Sequence, residues 1–212
     1  VTTRSRTATA LLSILLAAPF LAACGEGEPS EAAATSAATT QGASEDAATG
    51  STAPGETADD STDAPDFPSG TDAVTSEASA DAAVTVGEIR VGAHDGYDRV
   101  VLELGGTGTP GWDVRYVDAA VSQGSGETVD VAGGAVLQVT LTGAGYPYDT
   151  GVEEVGRGPV SGSGTTSVEE VVFDATFEGT SVAFVGTSGK LPFRVYALSD
   201  PTRVVVEVAH AG

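Results

Sequence analysis

The stretch from Phe193 to Val208 constrains the fold more than any other. It reads FRVYALSDPTRVVVEV, two alternating apolar runs around Ser199-Asp200-Pro201-Thr202. β-Branched and aromatic residues fill the arms, and Asp and Pro occupy the bend, which is the composition of a β-hairpin. With Leu198 opposite Arg203, the residues Phe193, Val195 and Ala197 fall opposite Val208, Val206 and Val204 on one face. The other face then carries Arg194 opposite Glu207 and Tyr196 opposite Val205. A slip of one residue would bury Arg194, Arg203 and Glu207, so the register is strongly specified. The second arm has an upstream echo: Asp98-Arg-Val-Val-Leu-Glu-Leu104 repeats the pattern of Thr202-Arg-Val-Val-Val-Glu-Val208.

The same signal recurs across residues 84–212, one domain's worth of chain, long enough to bury about two-thirds of its unfolded surface. Strands are predicted at Val84–Val91, Arg99–Leu104, Trp112–Val117, Thr128–Val131, Val136–Leu141, Val168–Phe177, Val182–Val185, Phe193–Leu198 and Arg203–Val208. No window sustains a 3.6-residue period, and glycine breaks most stretches that come near it. Short, evenly spaced strands with turn signals predict an all-β, antiparallel sandwich or barrel. The two echoing strands would share one core, with Val100, Leu102, Leu104, Val204, Val206 and Val208 pointing inward. The longest irregular piece, Gly143 to Thr166, opens with Tyr146-Pro147-Tyr148 and contains Ser161-Gly-Ser-Gly164. A loop of that length is functional or disordered, and a variable crossover between sheets is the alternative.

The N-terminal end reads as a targeting segment. Arg4 and Arg6 precede an apolar run from Ala8 to Leu21, and Leu21-Ala22-Ala23-Cys24 follows. A basic start, a short hydrophobic run and small residues before the cut mark a secretory signal peptide over residues 1–23. The run is short for a transmembrane span. Leu-Ala-Ala-Cys resembles the lipobox of bacterial lipoproteins, and Cys24 is the single cysteine of the chain. Lipidation of Cys24 is therefore expected, with an incidental cysteine after a plain signal peptide as the alternative. Each buried CH₂ contributes about 0.8 kcal/mol, so two or more acyl chains hold a protein on a bilayer where one does not.

Residues 24–83 then form an acidic Ala/Ser/Thr-rich linker. Between residues 25 and 83 there are thirteen Asp and Glu, no Lys or Arg, and Phe67 as the lone aromatic. Such a segment has too little to bury to offset its ordering entropy, so disorder is expected. As a flexible coil it would reach about 40 Å, lengthened by self-repulsion. From Val84 onward seventeen carboxylates face seven basic residues, within a chain of net charge −21. That balance argues against DNA or RNA as a partner and against docking on an anionic membrane surface.

Several motifs resemble chemistry without its context. Gly106-Thr-Gly-Thr-Pro-Gly111 matches G-x-G-x-x-G. A dinucleotide site needs a helix there, whereas Trp112-Asp-Val-Arg-Tyr-Val alternates like a strand, so a hairpin loop is expected. Gly186-Thr-Ser-Gly-Lys190 lacks both the first glycine and the hydroxyl of a phosphate-binding loop, and reads as a turn. The Gly-Ser-Gly runs lack nucleophile-elbow spacing. His94 and His210 are the two histidines; nothing in the sequence places a Ser–His–Asp set together, and no ligand spacing for zinc is present. No catalytic residue, metal or cofactor is assigned. The ligand-binding candidates are Arg99, Trp112, Arg115, Tyr116, Tyr146, Tyr148, Arg194 and Arg203. The arginines could meet carboxylates or phosphates of a wall polymer, or serve only as cross-strand partners of Glu103 and Glu207. The aromatics could stack on sugar rings or lie in the core.

Three segments together carry a resemblance: Gly96-Tyr-Asp-Arg-Val-Val-Leu-Glu-Leu104, Pro110-Gly-Trp-Asp-Val-Arg-Tyr-Val117, and Pro192 through Val208. They resemble the AMIN-like domain of actinobacterial lipoproteins. The last is similar to the closing hairpin of AMIN domains, where an Asn-Pro or Asp-Pro turn precedes an Arg-hydrophobic strand ending in an acidic residue. The resemblance implies a β-sandwich of two small sheets and a non-catalytic module of the cell envelope. AMIN domains accompany cell-wall amidases and secretins, where they target the protein to peptidoglycan or the division site. No amidase or secretin sequence follows within these 212 residues, so wall binding carries over as an expectation. The expected protein is extracytoplasmic, lipid-anchored through Cys24 to the outer face of the cytoplasmic membrane. It would present its domain to peptidoglycan or an associated wall glycopolymer. An adaptor docking an envelope or division protein is the alternative, by an edge strand. A small-ligand carrier is third, and would need a large apolar cavity.

Overall fold

The computed structural model describes residues 64–212. Its strands are β1 (Val74–Ser76), β2 (Ala83–His94), β3 (Tyr97–Thr107), β4 (Gly111–Val117), β5 (Ala135–Thr142), β6 (Pro159–Val160), β7 (Val168–Phe177), β8 (Thr180–Thr187), β9 (Phe193–Leu198) and β10 (Arg203–Ala209). A one-turn helix, α1 (Pro147–Thr150), lies between β5 and β6. The strands form a six-stranded sheet, β1-β4-β5-β8-β7-β6, and a four-stranded sheet, β2-β3-β10-β9. Every ladder is antiparallel. The all-β, two-sheet sandwich is therefore the fold.

The β9–β10 hairpin has the register that its alternation dictates: Leu198 opposite Arg203, Arg194 opposite Glu207 and Phe193 opposite Val208. The echoing strands pair with each other, β3 against β10, so that Val101 faces Val205 at the centre and Arg99 faces Glu207. Because the Arg-Val-Val-x-Glu pattern meets itself antiparallel, Arg203 likewise faces Glu103. Val100, Leu102, Leu104, Val204, Val206 and Val208 are all buried, packed with Leu137, Val139, Leu141, Val171, Phe173 and Val185 of the other sheet. Full burial of such a side chain contributes about 1.5–3 kcal/mol, and this layer is the main source of stability.

Three sequence expectations are corrected. The Thr128–Val131 strand does not form: Val121 and Thr128 make one isolated bridge. Val129 and Val131 instead pack with Ala120 onto Val182 and Phe184, roofing the outer face of the six-stranded sheet. Their alternation reports that roof, not a ladder. The Gly106–Gly111 loop is no hairpin, since β3 and β4 belong to different sheets and the chain crosses the sandwich there. The folded part also begins upstream of Val84: β1 pairs with β4, and Ser79 bonds the backbone of Thr109 in both directions, through its own N–H and its Oγ. Gly111 admits this close pass, because a Cβ there would lie 2.6 Å from the Ser76 carbonyl oxygen.

Of the readings given for residues 143–166, the crossover is the one that forms, and it links β5 to β6. It runs along the free edge of β2, exchanging backbone bonds between Gly143, Gly145 and Val84 and from Val155 to Val86. Buried Thr85 adds a hydroxyl bond to the Gly145 carbonyl at 2.8 Å. A long unpaired edge is thereby covered.

Candidate functional site

Residues 97, 99 and 101 of β3 alternate outward opposite the core residues 98, 100 and 102, and β10 and β9 continue the same face. Arg99, Glu207 and Arg194 stand in one row across the three strands. Glu207 is fully buried although it lies on the outer side of the sheet. Arg99 binds one carboxylate oxygen through Nε at 2.8 Å and Nη2 at 2.7 Å. Arg194 Nε donates to the other oxygen, and the Tyr196 hydroxyl adds a bond at 2.9 Å. A buried carboxylate persists only when paired and hydrogen-bonded, and Glu207 has both. Burial alone would depress the Arg99 guanidinium; the bond to Glu207 and the charges around it outweigh that and raise it above its ordinary value.

Two guanidiniums thus share one buried carboxylate, and Arg99 Nη2 also donates to the Tyr97 hydroxyl at 3.1 Å. Aromatic rings gather beside this row around Tyr97. The His94 ring stacks on Tyr97 at 5.0 Å, and the Arg99 and Arg194 guanidiniums lie 5.6 and 5.5 Å from its centroid. Cation–π contacts of this kind contribute about 0.5–1 kcal/mol where solvent reaches them. Arg194 turns Nη1 outward, where it donates to the Pro65 carbonyl. The face thus presents a guanidinium donor next to flat aromatic surface, the pairing that recognises an acceptor oxygen beside an apolar ring face.

Of the sequence candidates, Arg99 and Arg194 are brought together in this row. Arg203 projects from the same face further along β10 and bonds the Pro201 carbonyl. Arg115 lies on the other sheet and pairs with Asp113, Nε to Oδ1 at 2.6 Å. Trp112 and Tyr116 pack against the main core. The Tyr116 hydroxyl is engaged by Leu191, donating to its carbonyl and accepting from its N–H, each at 2.9 Å. Tyr146 and Tyr148 stack on one another at 5.3 Å, with Tyr148 exposed, at the start of the crossover. Cys24 lies outside the described residues. Sequence reasoning missed Tyr97, His94 and Tyr196; the alternation that placed Arg99 outward would have placed Tyr97 beside it.

A second cluster does bring Asp98, His210 and Ser167 together. Asp98 Oδ2 accepts the backbone N–H groups of Thr166, Ser167 and Val168 at 2.8, 2.6 and 2.9 Å, and His210 Nε2 meets Oδ1 at 2.9 Å. Burial pushes the Asp98 carboxyl up, but the bonds from Val168, His210, Ser167 and Thr166 together hold it below its ordinary value. Ser167 is buried and its hydroxyl donates to the Ala209 carbonyl. This arrangement fastens β3, the start of β7 and the end of β10; it offers no exposed nucleophile.

A shallow cleft of about 220 Å³ lies between the 118–134 segment and β7, lined by Ser122, Ser125, Glu127, Arg157 and Asp174 among others. Val129, Val172 and Phe173 also line it, so it is mixed in character; it is smaller than a typical ligand pocket and is not the large apolar cavity that a carrier needs. Among the described residues, no cluster of His, Cys, Asp and Glu could hold a metal ion, and no helix is long and apolar enough to cross a membrane.

The family model for the AMIN-like domain matches residues 84–210. No curated protein and no solved structure matches the chain.

Proposed function

We propose that this chain, which belongs to the AMIN-like domain family, is a membrane-anchored envelope lipoprotein that binds peptidoglycan or an associated wall polymer without catalysis. AMIN-like domains are non-catalytic, extracytoplasmic binding modules of the cell wall. The observation that carries the reading is the Arg99–Glu207–Arg194 row with Tyr97 and His94 beside it. It sets the Arg194 Nη1 donor beside flat aromatic surface, a pairing suited to carboxylate-bearing or N-acetylated wall polymers. Residues 1–23 serve as the signal peptide and acylated Cys24 as the anchor, and the acidic segment that follows spans the distance from membrane to wall.

Co-sedimentation of the purified chain with isolated sacculi tests the reading. Pelleting that weakens as salt rises is expected, because exposed charge contacts are screened within about 10 Å at 0.1 M salt. Absence of pelleting at low salt sinks it.

One feature favours the adaptor as a second reading. β9 is a terminal strand of its sheet, with β10 on one side and no strand on the other among the described residues. Such an edge can accept an extended segment of an envelope protein. Crosslinking in cells separates the two: a single protein partner favours the adaptor, and diffuse capture by the wall favours glycan binding.

A further inference from the structure

Residues 64–70 pass over the arginine–tyrosine face, and Arg194 is the point of contact. Its Nη1 donates to the Pro65 carbonyl at 2.6 Å, while its guanidinium lies 4.2 Å from the Phe67 ring centroid. The Phe67 ring in turn sits 5.8 Å from that of Tyr97. Phe67 is half-buried, whereas Pro65, Asp66 and Pro68 are exposed. Among the described residues, no backbone–backbone hydrogen bond joins 64–70 to the sheet. Pro65 and Pro68 have no N–H to donate to a ladder and hold the segment extended. Among the described residues, one aromatic side chain and one carbonyl therefore seat this strap, and neither contact belongs to a strand ladder.

We propose that the Pro65–Pro68 strap is a displaceable lid over the arginine–tyrosine face, occupying within the chain the place that a wall ligand takes. The proposal rests on the wall-binding reading above and adds a competitor to it. The strap also defines what can replace it: an acceptor oxygen for Arg194 Nη1 next to a flat apolar surface for the guanidinium and Tyr97. An N-acetylated sugar supplies both, through its acetamido oxygen and the C–H face of its ring. Apparent affinity is reduced by the fraction of molecules whose face is open, so the lid sets a threshold for capture.

The test compares the full chain with its Phe67→Ala variant, which changes the strap and no core residue. The ¹⁵N–¹H NMR signal of the Arg194 Nε–H reports whether the Phe67 ring is seated, and co-sedimentation with sacculi reports the ligand. The expected result is a shifted Arg194 signal and a bound fraction raised roughly three- to tenfold at limiting sacculi. An unmoved signal overturns the lid, whatever the sacculi do. A moved signal with sacculus binding unchanged also overturns it, because the ligand would then use another surface. If neither chain binds sacculi, the wall reading fails and the lid is decided by a synthetic peptide of residues 64–70 added to the Phe67→Ala chain. Return of the Arg194 signal toward its parental position upholds the lid, and no response to the peptide overturns it.

Discussion

Glu207 and Asp98 are both fully buried, and each solves that problem differently. Glu207 is neutralised by two guanidiniums and a phenol. Glu207→Ala leaves Arg99 and Arg194 facing each other without their carboxylate, and should lower stability by about 3–5 kcal/mol. Arg203→Ala removes only a bond to Pro201 and should stay within about 0.5 kcal/mol. Urea unfolding of the two variants checks the contrast, and equal losses would show that the row is no more than surface pairing. Asp98 is held by three backbone N–H groups and His210, with its carboxyl below its ordinary value of 3.8. A lowered value means that the unfolded chain takes up the proton first as pH falls. The stabilisation is complete above about pH 4 and is lost as pH falls through the folded-state value. Asp98→Asn should cost about 1–3 kcal/mol at neutral pH through poorly paired N–H groups. It should also flatten the acid limb of the stability–pH curve below about pH 4; an acid limb identical to that of the parent would assign the acid sensitivity to other groups.

At the scale of elements, the crossover of residues 143–166 shows what local sequence conceals. Apart from the Thr85 hydroxyl, its partners on β2 are backbone groups, which carry no side-chain signature, so its tyrosines and Gly-Ser run are the features the sequence offers. Its order depends on Val152, which packs against Gly87 and Gly105. A Cβ at Gly105 would come within 2.6 Å of Val152 Cγ2. Gly105→Ala should therefore destabilise the protein by about 1–3 kcal/mol through overpacking, and Val152→Ala in the same chain should recover part of that loss. Non-additivity in this double-mutant cycle is the measurement; simple addition would mean that the contact is not made. β1 was illegible for a related reason. It is three residues long, Val74 is the one valine between residues 25 and 83, and its pairing depends on the edge of β4.

For the whole molecule, the proposed arrangement places the domain at the end of an acidic tether anchored by Cys24. Cys24→Ala should release the protein from the membrane fraction or stall its processing. Unchanged membrane retention, read by fractionation of cells, would refute lipidation. Sequence alone determined the hairpin register, the inward residues of β3 and β10 and the all-β class, because alternation and turn chemistry belong to contiguous residues. It also showed that Arg194 faces Glu207. Only the tertiary structure decided that the echoing strands lie side by side, so that one carboxylate collects both Arg99 and Arg194. It alone brought Asp98 to residues 166–168 and laid Phe67 against Arg194. Those contacts join residues far apart in the chain, and the choice of partner is made by how two sheets pack, for which no local pattern exists.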